Sequence, residues 1–518
     1  MLTDAPFRSF AALRSPAGAG AALNATSLIE QPLTELVARL RRGELTSSAL
    51  VEAHIAQTQA VNPTLNAVII ERFAAARGEA QAADVQLKSA ADRETLPPLL
   101  GVPCTVKEFF AVAGQPQTGG MLAHRDRRPS EDATVVARLR QAGAIILGLT
   151  NAPEGGMWME TWNKLYGRTQ NPWNPEHTCG GSSGGEGAIV GAGGAVFGIG
   201  SDIGGSVRIP AAFCGTVGHK PSGGLISMFG HFPENLPGTN YLCAGPLCRR
   251  VGDVLPILRV LAGPDGRDPD CTLPASTLGD PARVQLERVR ILPVPQPPGI
   301  PTAAVTQAGI RAAASAMARR GAEVLSEDLR VLGDSVSDLR LAFLLWSEAL
   351  TGSAEVTYEE IVSGGAGVAL GRQFYRLLRG ESDYIFPSLM VIFGDRIARR
   401  LSRLLKGGGY AERLRRLKSR LDDFLGDDGV LIYPTYSRPA PRHYQPLLTP
   451  HHAACTAIFN ALGYPATVVP LGLTTAGLPL SVQIVGRHGQ DHLTLAVAEA
   501  LESEFGGWQP PQRYTARR

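Results

Sequence analysis

From Ala453 to Gly486 the chain runs for 34 residues without a Lys, Arg, Asp or Glu. A stretch that long without charge has to be buried, either in a membrane or in a protein core. Spanning a bilayer as a helix takes about 20 apolar residues. Pro465, Pro470 and Pro479, with Gly463, Gly472 and Gly477, would interrupt such a helix repeatedly, because proline lacks the N–H donor and its ring clashes with the preceding turn. Short strands between turns tolerate these residues. The segment is therefore read as core strands of a soluble protein.

Elsewhere two periodicities take turns. Helical spacing in LTELVARL and ALVEAHIAQTQAV predicts two opening helices that stop at Asn62-Pro63. The apolar run Leu65 to Ile70 precedes a charged helix over 71–92, and LLGVPCTVKEFF reads as a strand ending at a lysine. A helix over 133–143 leads into the strand AIILGLT, and further on VRILPV is followed by a helix over 302–320. Strands alternating with helices over the whole length predict an α/β fold, its sheet covered on both faces.

Charge is nearly balanced, 50 Lys and Arg against 47 Asp and Glu, so no long-range field draws the chain to nucleic acid. Seven Cys, an odd count without a CxxC pair, fit neither a disulfide framework nor a zinc ribbon. Reduced structural thiols, a cytoplasmic setting, and no metal or cofactor are expected. Residues 1–29 lack an apolar segment long enough for a signal or anchor and are expected to be a poorly structured extension. A single domain should then fill 30–510.

The composition shifts most around 352–428, which reads as a helical insertion. Here Ile385, Phe386, Leu389, Ile392, Phe393, Ile397, Leu401 and Leu404 form an apolar stripe beside Arg396, Arg399, Arg400, Arg403 and Lys406. A basic face packed on the core by its apolar side explains this pattern. So does a helix at 385–406 lying on a membrane surface or against a second copy of the chain.

Chemistry concentrates in residues 179–221, CGGSSGGEGAIVGAGGAVFGIGSDIGGSVRIPAAFCGTVGHKP. Gly181 to Gly185 meets the G-x-S-x-G pattern of a nucleophile elbow, with Ser183 as nucleophile. An elbow needs a strand directly before it, and NPWNPEHTC offers none. No G-K-[ST] follows the glycines, which argues against a phosphate loop. In DIGGS, however, Ile203, Gly204 and Gly205 stand immediately before Ser206. Backbone N–H groups exposed by glycine suit a developing oxyanion, so this stretch supplies a nucleophile and its oxyanion donors together.

A serine hydroxyl needs a neighbour to accept its proton. His177, His219 and His231 are near in sequence, but none has an acidic partner at a telling spacing. A lysine held neutral is the alternative. Lys107 ends the apolar strand GVPCTVK, and desolvation lowers a lysine pKa. Moving it from about 10.4 to about 7 penalises the charged form by roughly 4–5 kcal/mol.

Lys107 in GVPCTVKE, GGSSGG at 180–185 and GSDIGGSVRIPAAFCG at 200–215 together resemble the amidase signature family of serine hydrolases. The spacings of 75 from Lys107 to Ser182 and 24 from Ser182 to Ser206 agree with that family, and the resemblance spans most of 30–508. Within it the chain is most similar to the fatty-acid amide hydrolases, through GGSSGGEG, SDIGGS, FCGTVGHKP and the final FGGW.

The resemblance implies a large mixed β-sheet sandwiched between helices, and a Ser-Ser-Lys mechanism acting on a small-molecule amide with an apolar acyl or aryl group, with esters or carbamates as further substrates. Ser206 would attack the carbonyl. Ser182, preceded by a cis peptide, would pass the proton to Lys107, and the N–H groups of Ile203, Gly204, Gly205 and Ser206 would hold the oxyanion. Ser183 and Ser201 are expected to support these groups by hydrogen bonds, Asp202 and Arg208 to hold the loop, and Met157 and Trp158 to line the acyl side. Two alternatives share the fold: a catalytically silent binding protein, and one component of an amidotransferase.

Overall fold

The computed structural model describes residues 7–13, 28–234, 241–353, 356–405 and 409–514. Its fourteen strands are β1 (Phe7–Ser9), β2 (Val68–Glu71), β3 (Pro103–Lys107), β4 (Ile145–Thr150), β5 (Trp162–Asn163), β6 (Gly167–Arg168) and β7 (Phe197–Asp202), followed by β8 (Val217–Lys220), β9 (Cys243–Cys248), β10 (Arg290–Pro293), β11 (Glu323–Val324), β12 (Gly429–Tyr433), β13 (Ala466–Thr474) and β14 (Pro479–Gly486). Twelve make one sheet in the order β11-β10-β12-β14-β13-β8-β9-β7-β3-β4-β2, with β1 added along β13. β5 and β6 form a separate hairpin. The sheet is mixed: β11, β10 and β12 run parallel, as do β7, β3 and β4, while the strands between these groups pair antiparallel.

Side chains alternate across a strand, and here they feed two cores. Ile291, Val430 and Ile432 enter the larger core, whereas their neighbours Leu292, Leu431 and Tyr433 enter the other. Helices Ala304–Arg319, Asp491–Phe505 and Val254–Leu261 cover the first face. Helices Tyr410–Leu425 and Ala454–Ala461 cover the second. This is the expected α/β sandwich.

Three expectations change. The uncharged segment opens as a buried helix, Ala454–Ala461, before β13 and β14; its prolines begin only at Pro465, so nothing interrupts those first turns. The helix Ser47–Leu65 runs through Pro63 and ends at Asn66, which adopts a left-handed φ of 50°. Asn62 Oδ1 accepts the N–H groups of Ala67 and Val68, at 2.8 and 2.9 Å, and this sets the exit. Part of the segment expected to lack structure is also built into the fold. Phe7–Ser9 pairs with β13, and Arg8 O comes so close to Gly472 that any Cβ there would stand 2.0 Å away. Residues 14–27 lie outside the described residues.

The helix Phe386–Leu405 buries Leu389 and Ile392 against a small core with Met121 and Phe232. Beside this buried stripe Met390, Phe393 and Ile397 are exposed. The side chains of Leu401, Arg403 and Leu404, and Lys406 altogether, lie outside the described residues. Among the described residues no helix is long and apolar enough to cross a membrane.

Candidate active site

Two parallel strands deliver the site to one edge of the sheet. Lys107 is the last residue of β3 and Asp202 the last of β7, and Val106 lies opposite Ile199 in their ladder. Crevices at the carboxyl ends of parallel strands are where α/β sheets place ligands. Lys107 Nζ is 2.7 Å from Ser182 Oγ and 3.0 Å from Ser201 Oγ, and 4.3 Å from the centre of the Phe109 ring.

Ser182 follows a cis Gly181–Ser182 peptide, and one residue, Ser183, separates it from the helix Gly184–Gly191. Ser183 joins the two serine loops: its N–H donates to Ser206 O at 3.0 Å, and its hydroxyl donates to Ser201 O at 3.1 Å. Lys107, Ser182, Ser183, Ser201 and Ser206 are thus brought together and all buried.

Desolvation dominates the electrostatics. Full burial holds the Lys107 pKa down to about 7, although Asp202, Glu186 and Glu108 pull it upward. Burial also raises the Glu186 carboxyl to about 8, against hydroxyl donors on Thr105 and Thr150 at 2.5 and 2.8 Å. Glu108 is raised by burial to about 7 and accepts the N–H groups of Thr118 and Gly119. Burial opposes ionisation of Asp202 as well, but the Arg208 guanidinium outweighs it and holds that carboxyl below the usual range.

Asp202 and Arg208 scaffold the loop between β7 and the helix Arg208–Cys214. Arg208 Nη2 bonds Asp202 Oδ1 at 3.0 Å and Asn460 Oδ1 at 2.5 Å, and its Nη1 reaches Gln483 Oε1 at 3.1 Å. One expected oxyanion donor is lost to this scaffold: the Gly205 N–H donates to Asp202 Oδ1 at 2.7 Å. The N–H groups of Ile203, Gly204 and Ser206 have no acceptor among the described residues. Trp346 Nε1 donates to Ile203 O at 2.8 Å, and Thr456 Oγ1 donates to Gly204 O at 2.6 Å.

Met157 and Trp158 are half-buried in the loop after β4. The carbonyl of Trp158 abuts Gly181, where a Cβ would stand only 2.6 Å from it, so this loop borders Ser182. The Trp158 indole N–H points to Glu160 Oε2 at 3.2 Å. Histidine proves to have remote partners that sequence spacing conceals. His219 lies 3.1 Å from Asp491 Oδ1, but its other nitrogen faces Thr467 and Ser222 bonds the same carboxylate directly, so no serine is presented to this imidazole. All seven Cys are buried, and among the described residues none is joined in a disulfide.

Glu186, Trp346, Thr456 and Asn460 escaped sequence reasoning, and His231 was weighed there only as a base for the serine. Glu186 carried the only available signal, a carboxylate inside a glycine-rich apolar run; the others sit in segments without any motif.

This mixed α/β sandwich, with a buried lysine and serine cluster at the carboxyl ends of β3 and β7, is the frame in which comparison identifies the family. The Amidase family matches residues 49–495; the chain belongs to that family and is an amide-hydrolysing enzyme. It is 38% identical over 496 residues to fatty-acid amide hydrolase 2-A of Danio rerio, covering 93% of this chain and 90% of that protein. It is 32% identical over 500 residues to a glutamyl-tRNA(Gln) amidotransferase component from Roseiflexus castenholzii, covering 92% and 96%. The solved structure of 6-aminohexanoate cyclic dimer hydrolase superposes with a TM-score of 0.73 at 28% identity, covering 94% of this chain and 99% of that one.

Proposed function

We propose that this enzyme hydrolyses carboxylic amides bearing an apolar acyl or aryl group through an acyl-enzyme on Ser206, with esters or carbamates as further substrates. The observation that carries this reading is Lys107 Nζ at 2.7 Å from Ser182 Oγ, in a loop tied by one backbone bond to Ser206. Identity of 38% to a fatty-acid amide hydrolase against 32% to the amidotransferase component favours hydrolysis of apolar amides over an amidotransferase role.

In the proposed cycle Lys107 starts neutral. The Ser206 hydroxyl proton moves to Ser182 Oγ while the Ser182 proton moves to Lys107, and Ser206 Oγ bonds to the carbonyl carbon. The electron pair of the carbonyl π bond becomes an oxyanion, held by the N–H groups of Ile203, Gly204 and Ser206. The proton on Lys107 then returns through Ser182 to the amide nitrogen, the C–N bond breaks and the amine leaves. Water attacks the ester by the same relay, releasing the acid and restoring Ser206.

Turnover of a chromogenic anilide by wild type and Ser206→Ala tests the assignment, alongside labelling by a fluorophosphonate. Loss of both signals in the variant is expected; retained turnover would remove Ser206 as nucleophile. Absence of turnover and labelling in the wild type would favour a silent binding protein.

We further propose that the helix Phe386–Leu405 meets a lipid surface. Met390, Phe393 and Ile397 on that helix, and Tyr375 and Leu378 on the helix Leu370–Leu378, are exposed. On the helix Phe386–Leu405 Arg396 pairs with Glu359 and Arg399 with Asp395, while Arg400 is exposed; apolar and basic side chains together suit an anionic membrane.

A further inference from the structure

Four polar groups stand in series: Ser182, Lys107, Ser201 and His231. Beyond the two lysine contacts already described, Ser201 Oγ is 2.9 Å from His231 Nε2, and His231 Nδ1 is 2.7 Å from the carbonyl of Pro233. A carbonyl oxygen only accepts, so Nδ1 carries the ring proton and Nε2 is left with a lone pair. Nε2 must then accept the single hydroxyl proton of Ser201. With that proton spent, Ser201 faces Lys107 as an acceptor and takes one of its N–H groups. A neutral amine has one lone pair, which is thereby left to Ser182.

The imidazole is held in place from several sides. Phe232 N–H donates to Phe109 O at 2.7 Å and Ala111 N–H to Gly230 O at 2.9 Å, which registers the His231 turn against the strand end that follows Lys107. The rings of Phe109 and Phe110 meet the imidazole edge-on, at 5.7 and 5.1 Å between centres. Burial and the nearby Lys107 charge hold the His231 pKa down to about 3, so the ring stays neutral. The charged or titratable groups acting on Lys107 itself are Asp202, Glu186 and Glu108.

We infer that His231 is a positioning residue for amide hydrolysis: locked as the Nδ1–H tautomer, it draws the Ser201 hydroxyl away from Lys107 and leaves the lysine lone pair to Ser182. This rests on the reading of Lys107 as the base.

His231→Phe keeps a ring between Phe109 and Phe110 but removes the acceptor. The released Ser201 hydroxyl then turns to the lysine lone pair, competing with Ser182 and stabilising the neutral amine. The expected result is a fall in kcat of roughly tenfold or more, within the range of general-base contributions, with KM changing less than kcat. The ionisation on the acid side of the kcat/KM profile should move to lower pH. His231→Gln can place an amide oxygen near the Nε2 position, and it is expected to restore most of kcat and return the ionisation toward wild type. In a Ser201→Ala background, where no hydroxyl is left to orient, adding His231→Phe should change kcat less than about twofold. A site merely loosened would admit water and raise the ionisation toward the ordinary lysine value of about 10.4, with no rescue by Gln. An unchanged kcat, an unmoved or raised ionisation, a failed rescue, or a full additional loss in the Ser201→Ala background would each overturn the inference. Lys107→Met separates the two readings: full activity there removes the base itself, whereas an inactive Lys107→Met beside an unimpaired His231→Phe removes only the positioning role.

Discussion

Asp202 and Arg208 form an ion pair at 3.0 Å with neither side chain exposed, six residues apart and on either side of the loop that carries Ser206. The pair holds more than itself, because Asp202 also accepts the N–H groups of Gly205 and Val207 at 2.7 and 3.1 Å. Removing one partner of a buried pair leaves an uncompensated charge and costs about 3–5 kcal/mol. Arg208→Met is expected to lower the urea midpoint accordingly and to abolish turnover. A variant with wild-type stability would show that Asp202 finds another counter-charge.

Lys107 carries opposite consequences for stability and activity. Its pKa of about 7 in the fold against about 10.4 in the unfolded chain means that the unfolded chain binds more protons between these values. Stability contributed at this site therefore rises with pH over that window, and the penalty, about 4 kcal/mol, is fully present below pH about 7. Lys107→Met removes it, less the hydrogen bonds to Ser182 and Ser201. The variant is expected to be inactive and more stable than wild type by about 2–4 kcal/mol at pH 6, the gap closing toward pH 10. Wild-type kcat/KM should fall about tenfold per pH unit below the same ionisation. Equal stability at both pH values, or a flat rate profile, would show a lysine charged throughout.

Trp346 orients the Gly204 N–H, one of the proposed oxyanion donors, through peptide geometry. In a trans peptide the C=O and N–H point in opposite directions, so the bond from Trp346 Nε1 to Ile203 O turns the Gly204 N–H the other way. Trp346→Phe keeps the packing against Gly204 and removes that bond. We expect kcat to drop roughly 10- to 100-fold, below the loss seen for an oxyanion donor itself, with folding stability changed by about 1 kcal/mol. A proportional rise in KM at constant kcat would instead mark Trp346 as a substrate contact.

Glu186 tests whether a buried acid acts by its charge or its shape. With its pKa raised to about 8, the carboxyl is largely protonated at pH 7 and resembles an amide. Glu186→Gln is expected to keep stability within about 1 kcal/mol at that pH, whereas Glu186→Ala leaves the Thr105 and Thr150 hydroxyls unpaired and should cost about 2–4 kcal/mol. Thermal unfolding of the two variants side by side decides it; equal losses would mean that the charge matters.

The sheet was legible because its strands are short apolar runs bounded by turn residues, and β3 ends at Lys107 as its pattern implies. Ser206 stands out in the sequence because it follows the glycines of DIGGS, whose N–H groups are open to an acceptor, whereas Ser182 is marked only by the family resemblance of GGSSGG, the bare pattern there pointing to Ser183. Trp346 and Thr456 were not legible, and His231 was weighed only as a base, because the place of each is set by contact alone. Trp346 reaches Ile203 across 143 residues and Thr456 reaches Gly204 across 252, and no periodicity records which loop a distant side chain will face. The engagement of the Gly205 N–H was hidden for the same reason, since Asp202 turns back on its own loop only when Arg208 is buried beside it.

The exposed faces of the helices Leu370–Leu378 and Phe386–Leu405 supply the last prediction. Leu378 is 88% exposed and Phe393 46%, while Leu389 and Ile392 hold the second helix to the body of the protein. Replacing Leu378, Phe393 and Ile397 by Ser therefore leaves the packed side intact and removes only apolar surface that faces outward. Sedimentation with vesicles containing anionic lipid is expected to pellet the wild type, with binding weakened by added salt and roughly tenfold weaker for the triple variant, at unchanged turnover of a water-soluble anilide. Absence of vesicle binding, together with a wild-type dimer that the triple variant dissociates, would assign the same face to a second copy of the chain.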